Sequence, residues 1–336
     1  PGLPKIDKVE LPAILTDTVA NEDLANGTAQ WGGQYIPSIK TFYLDRSPNY
    51  KEFSPPVGVN GIYVNMDAGL LSNVAVRQAI AYGINRVKIT QLAEDGEVPV
   101  ASQSGVLLPE ENAWYNSSLA AKYNYGYDPA KAISILEKAG FKRGSDGIFQ
   151  NAAGKKLAFT ILDTGAYADQ VASDQIIVQE MSQIGIKLTQ ENLSGSTASA
   201  DKADGNFDLA YGGPPQLSVD GPYGILRGLL YSANSAPIGK SASSDYERFS
   251  SPAEDALFNK LSVTTNVAQQ EQIVKELQAP MLEDVPFIPL NDAVAQNEYD
   301  AGFATGWPTA ANPYANPSPT TQPDEGVVLI HLVPIS

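Results

Sequence analysis

The sequence contains no cysteine and only one histidine, His331. Without cysteine there can be no disulfide, no thiolate metal ligand and no cysteine nucleophile. A zinc site built without a second histidine would need carboxylates alone, which is unusual. We therefore expect neither a metal nor a cofactor.

The sequence also lacks the usual signatures of an enzyme. No Gly-x-Ser-x-Gly elbow, phosphate-binding loop or dinucleotide fingerprint occurs. His331 falls in the apolar run 327–333, which we interpret as a strand, and a lone strand histidine is more often structural than a general base. Neighbouring acids such as Glu110 and Glu111 fit a solvated face in an acidic protein. The prediction is that the protein is not an enzyme. Two rivals are left open: a glycoside hydrolase with two carboxylates facing each other across a cleft, and a structural or adhesive surface module without an enclosed ligand cavity.

Positive charge is scarce as well. Lys and Arg number 22 against 38 Asp and Glu, so the formal net charge is −16. Such a chain repels phosphate backbones and anionic lipid, which argues against nucleic-acid and membrane-surface binding. No apolar run reaches the roughly 18 residues that a membrane-spanning helix needs. The opening residues 1–5 lack the features of a signal peptide.

The elements that the patterns do predict alternate between strand and helix. The predicted strands are 5–15, 61–64, 157–161, 186–188, 207–211, 285–290 and 327–333. The predicted helices are one starting at Asn73, one from Asp128 to Gly140, and those at 169–184, 253–261 and 267–283. Residues 195–205 are small and polar and predict a loop, and 212–223 is rich in Gly and Pro. This order indicates an α/β fold with mixed sheets flanked by helices.

In the helix starting at Asn73, an apolar stripe of Val76, Ile80, Ile84 and Val87 defines the predicted buried face. Arg77 and Arg86 fall away from it.

Five segments, in the same order along the chain, resemble extracellular solute-binding proteins of family 5, which serve peptide, nickel and oligosaccharide ABC importers. They are Asn65–Arg86, Tyr127–Phe141, Phe207–Ala210, Ser250–Leu257 and Glu283–Leu290. The resemblance implies a periplasmic-binding-protein-like fold of class II, with two lobes enclosing the ligand. It implies that this chain is the C-terminal two-thirds of such a protein, mainly its second lobe. The lobes implied are a first-lobe segment and hinge at 1–54, a second α/β lobe at 55–290, and a return to the first lobe at 291–336.

The function implied is capture of extracellular oligopeptides and their delivery to ABC permease subunits in the membrane, by a monomer without cofactors. The alternative is an oligosaccharide ligand, such as cello- or xylo-oligosaccharides. The implied location is extracellular, either anchored at the cell surface or periplasmic.

The resemblance also suggests ligand-binding residues. Asp220 is the nearest match to an aspartate that grips the peptide amine in peptide binders of the family. We expect the ligand to meet Tyr211, Gln216 and Tyr223 in and after the same strand, 207–211. If the ligand is a sugar, Trp31 and Trp307 are candidates to stack on its rings.

Overall fold

The computed structural model describes residues 2–14, 16–214 and 221–335. The helices are α1 (Asp17–Ala25), α2 (Ile39–Phe42), α3 (Val74–Gly83), α4 (Arg86–Leu92), α5 (Ser117–Lys122), α6 (Pro129–Lys138), α7 (Ala168–Gln183), α8 (Gly195–Asp204), α9 (Tyr223–Leu230), α10 (Pro252–Ser262), α11 (Val267–Glu283) and α12 (Asp324–His331). The strands are β1 (Trp31–Gly32), β2 (Tyr50–Glu52), β3 (Pro56–Val64), β4 (Lys142–Arg143), β5 (Phe149–Gln150), β6 (Ala158–Asp163), β7 (Lys187–Asn192), β8 (Leu209–Gly212), β9 (Phe287–Val294), β10 (Glu298–Asp300), β11 (Ala304–Thr305) and β12 (Val333–Pro334). The chain is thus of mixed α/β class.

The chain divides into two compact units. One comprises 1–57 together with 294–336, and the other comprises 58–293. The first unit contains the small antiparallel sheet β1-β10-β2 and the pair β11-β12.

The second unit is built on a five-stranded sheet of order β7-β6-β8-β3-β9. β6 runs parallel to both β7 and β8, whereas β3 is antiparallel to β8. One apolar cluster joins Ile62, Ile161 and Leu209 to α3, α6 and α7. A second cluster joins Tyr63, Leu162 and Phe287 to α9, α10 and α11. Because successive side chains of a strand point to opposite faces, the sheet is covered by helices on both sides.

Local capping residues correctly predicted where several helices begin. The side chain of Asn266 caps α11, which spans the predicted 267–283. Asp128 caps α6 with Pro129 in the first turn, as the sequence predicts. Pro280, in the last turn of α11, does not shorten the helix.

The prediction for the helix after Asn73 was wrong in its second half. α3 ends at Gly83, Ile84 is extended, and Asn85 caps the separate helix α4. Val87 therefore leaves the apolar stripe and is 54% exposed. Arg77 and Arg86 are both buried, contrary to the expectation from the stripe.

Three other local predictions were wrong. Residues 195–204 form α8 instead of a loop, capped by Ser194 and ended by Gly205 in the left-handed region. The apolar run at 327–333 lies mostly in α12, because apolar runs of this length suit a helix as well as a strand. Residues 5–14 form no strand.

Candidate functional site

The first unit brings Trp31 and Trp307 together. Their rings meet edge to face, with centroids 5.6 Å apart. The indole Nε1 of Trp31 donates to Asn297 Oδ1 at 2.8 Å and to the carbonyl of Pro317 at 3.0 Å. Both hydrogen bonds fix the ring, so any role for Trp31 in ligand binding would use its ring surface.

Trp307 is the more buried of the two indoles, at 7% exposure. It stacks on Tyr299 with centroids 5.0 Å apart, and its Nε1 donates to the carbonyl of Ala304 at 2.8 Å. These contacts make Trp307 part of the core of the first unit, together with Val328 and Leu332.

Tyr211 lies on β8 in the second unit and is 3% exposed. Its hydroxyl has no hydrogen-bond partner within the described residues. Burial raises the pKa of Tyr211 well above its usual value, and the carboxylates of Glu94 and Asp169 raise it further. The phenol is therefore neutral, and its hydroxyl can donate or accept a hydrogen bond.

Polar groups collect near the carboxyl ends of β6 and β8. Asp163 ends β6 and is 2% exposed, and Asp174 in α7 is fully buried. Both oxygens of Asp174 and Oδ2 of Asp163 have no partner in the described part of the chain. Lys202 donates from Nζ to the carbonyl of Tyr211 at 3.1 Å. Burial lowers the pKa of Lys202, and the negative charge of Asp163 partly offsets this effect.

This position in the sheet suits ligand binding. Because β6 and β8 are parallel, their carboxyl ends lie at one edge, where open α/β sheets commonly bind ligands. The Gly/Pro-rich segment follows β8 directly. Two of its predicted site residues, Gln216 and Asp220, lie outside the described residues.

Tyr223, the first residue of α9, lines a cavity of about 620 Å³. Trp114 forms part of the same wall, and a Cβ added at Gly221 would lie 3.8 Å from its Nε1. The remaining lining residues are Pro222, Leu261, Ser262, Gln270 and Val274. Aromatic walls with a few hydroxyl and amide groups suit a ligand that offers apolar faces and hydrogen-bonding groups.

The structure thus separates the predicted residues into distinct places. Trp31 and Trp307 meet in the first unit, whereas Tyr211 and Tyr223 belong to the second. The sequence did not identify Trp114 or Gln270 as site residues, since nothing local shows that α11 approaches the start of α9.

Two further observations bear on the kind of site. Within 2–14, 16–214 and 221–335, no group of three or more His, Cys, Asp or Glu is placed to hold a metal ion. No helix of the described residues is both long and apolar enough to cross a membrane.

Sequence comparison adds a curated relative. A glutathione-binding protein of Escherichia coli is 27% identical over 233 residues, which cover 65% of this chain and 44% of that protein. The chain therefore spans less than half the length of this relative.

Two solved structures are similar over almost the whole chain. A periplasmic oligopeptide-binding protein of an ABC transporter from Thermotoga maritima, with mannohexaose bound, is 26% identical with a TM-score of 0.85. The match covers 96% of this chain and 61% of the Thermotoga maritima chain. A second structure of the oligopeptide-binding protein from this organism superposes with a TM-score of 0.87 over 96% of this chain and 62% of its own. The fold is thus that of periplasmic binding proteins of this type, as the sequence predicted.

A family model matches residues 1–236, which is more than half of the chain. Its members and the structural neighbours are binding proteins. The five motifs, the fold and this match agree, and the chain belongs to the bacterial extracellular solute-binding proteins of family 5.

Proposed function

We propose that this chain is part of the substrate-binding component of an ABC importer, and that the component captures extracellular oligopeptides and delivers them to a membrane permease. The observation that carries the proposal is the group of polar side chains at the carboxyl ends of β6 and β8 in the second unit. Tyr211, Lys202 and Asp163 lie there. Aromatic side chains line a cavity at the start of the next helix, α9. Family membership makes binding the expected use of such an edge.

The proposal assigns residues 55–290 to the second lobe, and 1–54 and 291–336 to the first. In the whole protein the two lobes would enclose the solute and open to release it. Asp220 would hold the amino end of the peptide by a charge-assisted hydrogen bond. Gln216, Tyr211 and Tyr223 would orient the peptide backbone.

The proposal includes no catalysis, no cofactor and no nucleic-acid partner. The component would act as a monomer outside the cytoplasmic membrane, either anchored at the cell surface or periplasmic. Its partners would be the permease subunits.

An oligosaccharide ligand is the second candidate, and a specific observation favours it. The similar Thermotoga maritima protein holds mannohexaose. In the present chain, Trp114 and Tyr223 line the cavity beside Gly221, and Trp31 and Trp307 form an aromatic pair in the other unit. Aromatic faces of this kind stack well on sugar rings.

Calorimetry on the natural full-length protein tests both candidates. Di- to pentapeptides are titrated in parallel with cello-, xylo- and manno-oligosaccharides. We expect peptides to bind and to increase the free energy of unfolding by RT ln(1 + [L]/Kd), which raises the melting temperature. Binding of sugars alone would replace the first candidate by the second, and binding of neither class would overturn both.

Variants and product analysis sharpen this test. Asp220→Asn should weaken the binding of a peptide with a free amino end and leave the binding of its N-acetylated form unaffected. Tyr223→Ala should weaken the binding of whichever ligand class the protein binds. Cleavage of a bound ligand, lost on mutation of one acidic residue, would contradict the non-catalytic role.

A further inference from the structure

The second unit contains another cavity, of about 240 Å³, next to the end of β9. Its wall combines the segment that precedes the helical turn at 112–114 with the α5 region. The lining residues are Val100, Ala101, Ser102, Gln103, Leu108, Tyr115, Ala120, Tyr123, Asn124 and Asp292.

Asp292 is the only charged side chain among these lining residues. Its backbone nitrogen donates to the carbonyl of Pro99 at 3.0 Å, which fixes the residue in the extended sheet. The side chain is only 2% exposed, and Oδ1 has no hydrogen-bond partner among the described residues. A carboxylate buried in this way is costly unless a cation or a set of donors compensates it.

The charges around Asp292 do not supply that cation. Burial is the main cause that raises the pKa of Asp292 to about 7, and the negative charges of Glu110 and Glu111 raise it further. Lys122, which precedes the lining residue Tyr123, is engaged elsewhere: its Nζ lies over the ring of Tyr123 at 4.6 Å and pairs with Glu283 at 3.8 Å. Among the lining residues that the structure describes there is no cationic side chain, and the charges that act on Asp292 are negative.

The remaining wall also suits a small cation. Tyr115 and Tyr123 are half-buried and contribute aromatic surface, which attracts cations through the ring quadrupole. Ser102, Gln103 and Asn124 add oxygen atoms that can accept hydrogen bonds. Val100 and Ala120 offer apolar surface for a short carbon chain.

We propose that this cavity binds a primary ammonium group on a short alkyl chain, with the carboxylate of Asp292 accepting its hydrogen bonds. The inference concerns the second unit alone and holds whether the transported solute is a peptide or a sugar. Free alkylamines and the amino end of a peptide share this chemistry, and the experiment separates them.

The test uses n-butylammonium as the probe on the whole protein, followed by calorimetry and ligand-observed NMR. The neutral comparison is n-butanol, which has the same chain without the charge. The variant is Asp292→Asn, and the matched control is Asp245→Asn, the same change at a buried acid that lies outside this cavity and outside the candidate site. We expect wild type and Asp245→Asn to bind the amine equally, and Asp292→Asn to lose at least roughly tenfold in affinity.

The pH dependence gives a test that needs no variant. Because the amine pairs with ionised Asp292, wild-type affinity should rise between about pH 6 and 8 and binding should release protons. Equal binding of n-butanol, unchanged binding in Asp292→Asn, or no binding of the amine would each overturn the proposal and leave a cavity that holds only water. If Asp292→Asn fails to fold, a flat pH profile in the wild type overturns it instead.

A competition experiment identifies the source of the ammonium group. A tripeptide with a free amino end is added to protein loaded with n-butylammonium, with its N-acetylated form as the control. No displacement by either peptide supports a site for free amines. Displacement by the free form alone shows that the cavity receives the amino end of a peptide, which contradicts independence from the transported solute.

Discussion

Arg86 and Pro289 are joined across 203 residues of sequence by a hydrogen bond of 2.7 Å from the guanidinium Nε to the carbonyl oxygen. The same guanidinium donates from Nη1 to the carbonyls of Ala81 and Tyr125 at 3.0 and 2.9 Å. Arg86 thus connects the junction of α3 and α4 to β9 from inside the core. Burial lowers its pKa to about 9, so the group stays charged at neutral pH.

Replacing Arg86 by Met should therefore destabilise the second unit strongly. The change leaves several buried carbonyls without donors, and we expect the free energy of unfolding to fall by about 2–4 kcal/mol. Urea denaturation followed by circular dichroism measures this. Arg46→Met is the control, since Arg46 is exposed and only covers the ring of Phe42, and should cost less than about 1 kcal/mol. Similar losses in both variants would show that the buried hydrogen bonds contribute little.

Trp307 should matter for the stability of the first unit. Its ring is buried against Tyr299 and Trp31, so Trp307→Ala should lower the free energy of unfolding by about 3–5 kcal/mol. Thermal denaturation followed by near-ultraviolet circular dichroism measures the loss. Trp114→Ala is the comparison, because Trp114 is half-buried beside the cavity at Tyr223 and should lower stability less. A Trp307→Ala protein of unchanged stability that no longer binds a sugar would favour the stacking role instead.

Asp174 should make the protein less stable as pH rises. Burial, with the charge of Asp163 as a smaller cause, raises its pKa to about 9, whereas an unfolded aspartate titrates near 3.9. Between about pH 4 and 9 the folded state binds more protons than the unfolded state, so this group lowers the free energy of unfolding progressively across that window.

Asp174→Asn removes this titration. The variant should match the wild type near about pH 4 and exceed it near about pH 8, measured by urea denaturation. The exposed Asp146 is a control of opposite sign, since its hydrogen bond with Lys156 lowers its pKa and Asp146→Asn should bring no gain at high pH. An Asp174→Asn protein that is less stable at every pH would show that the carboxyl makes a structural bond that Asn cannot replace.

What the sequence predicted well depended on local signals. Asn266 and Asp128 cap α11 and α6 within three residues of the groups they bind, so the helix starts could be located from the sequence. α8 had such signals too, in Ser194 and Gly205, but the small polar residues between them have weak helix propensity and favoured a loop. In α12 the acidic first turn, Asp324 and Glu325, was the available signal.

The site residues depended on long-range packing instead. Nothing near Asp292 in sequence shows that Tyr115 shares a cavity with it, because 177 residues separate them. The burial of Arg86 had the same origin, since its partner Pro289 belongs to a distant strand. A period of apolar residues reports which side of a helix faces the core, but it does not report which charged residue the core accepts.

Gly61 is expected to tolerate no side chain. It lies in β3, where an added Cβ would overlap the backbone oxygen of Ile288 and come within 2.7 Å of the ring of Phe287. Gly61→Ala should therefore force β3 and β9 apart and lower the free energy of unfolding by about 1–3 kcal/mol. Gly126→Ala is the matched control, since a Cβ there meets nothing within 4 Å. The two variants are compared by urea denaturation, and equal stability would mean that the sheet relaxes around the added methyl group at no cost.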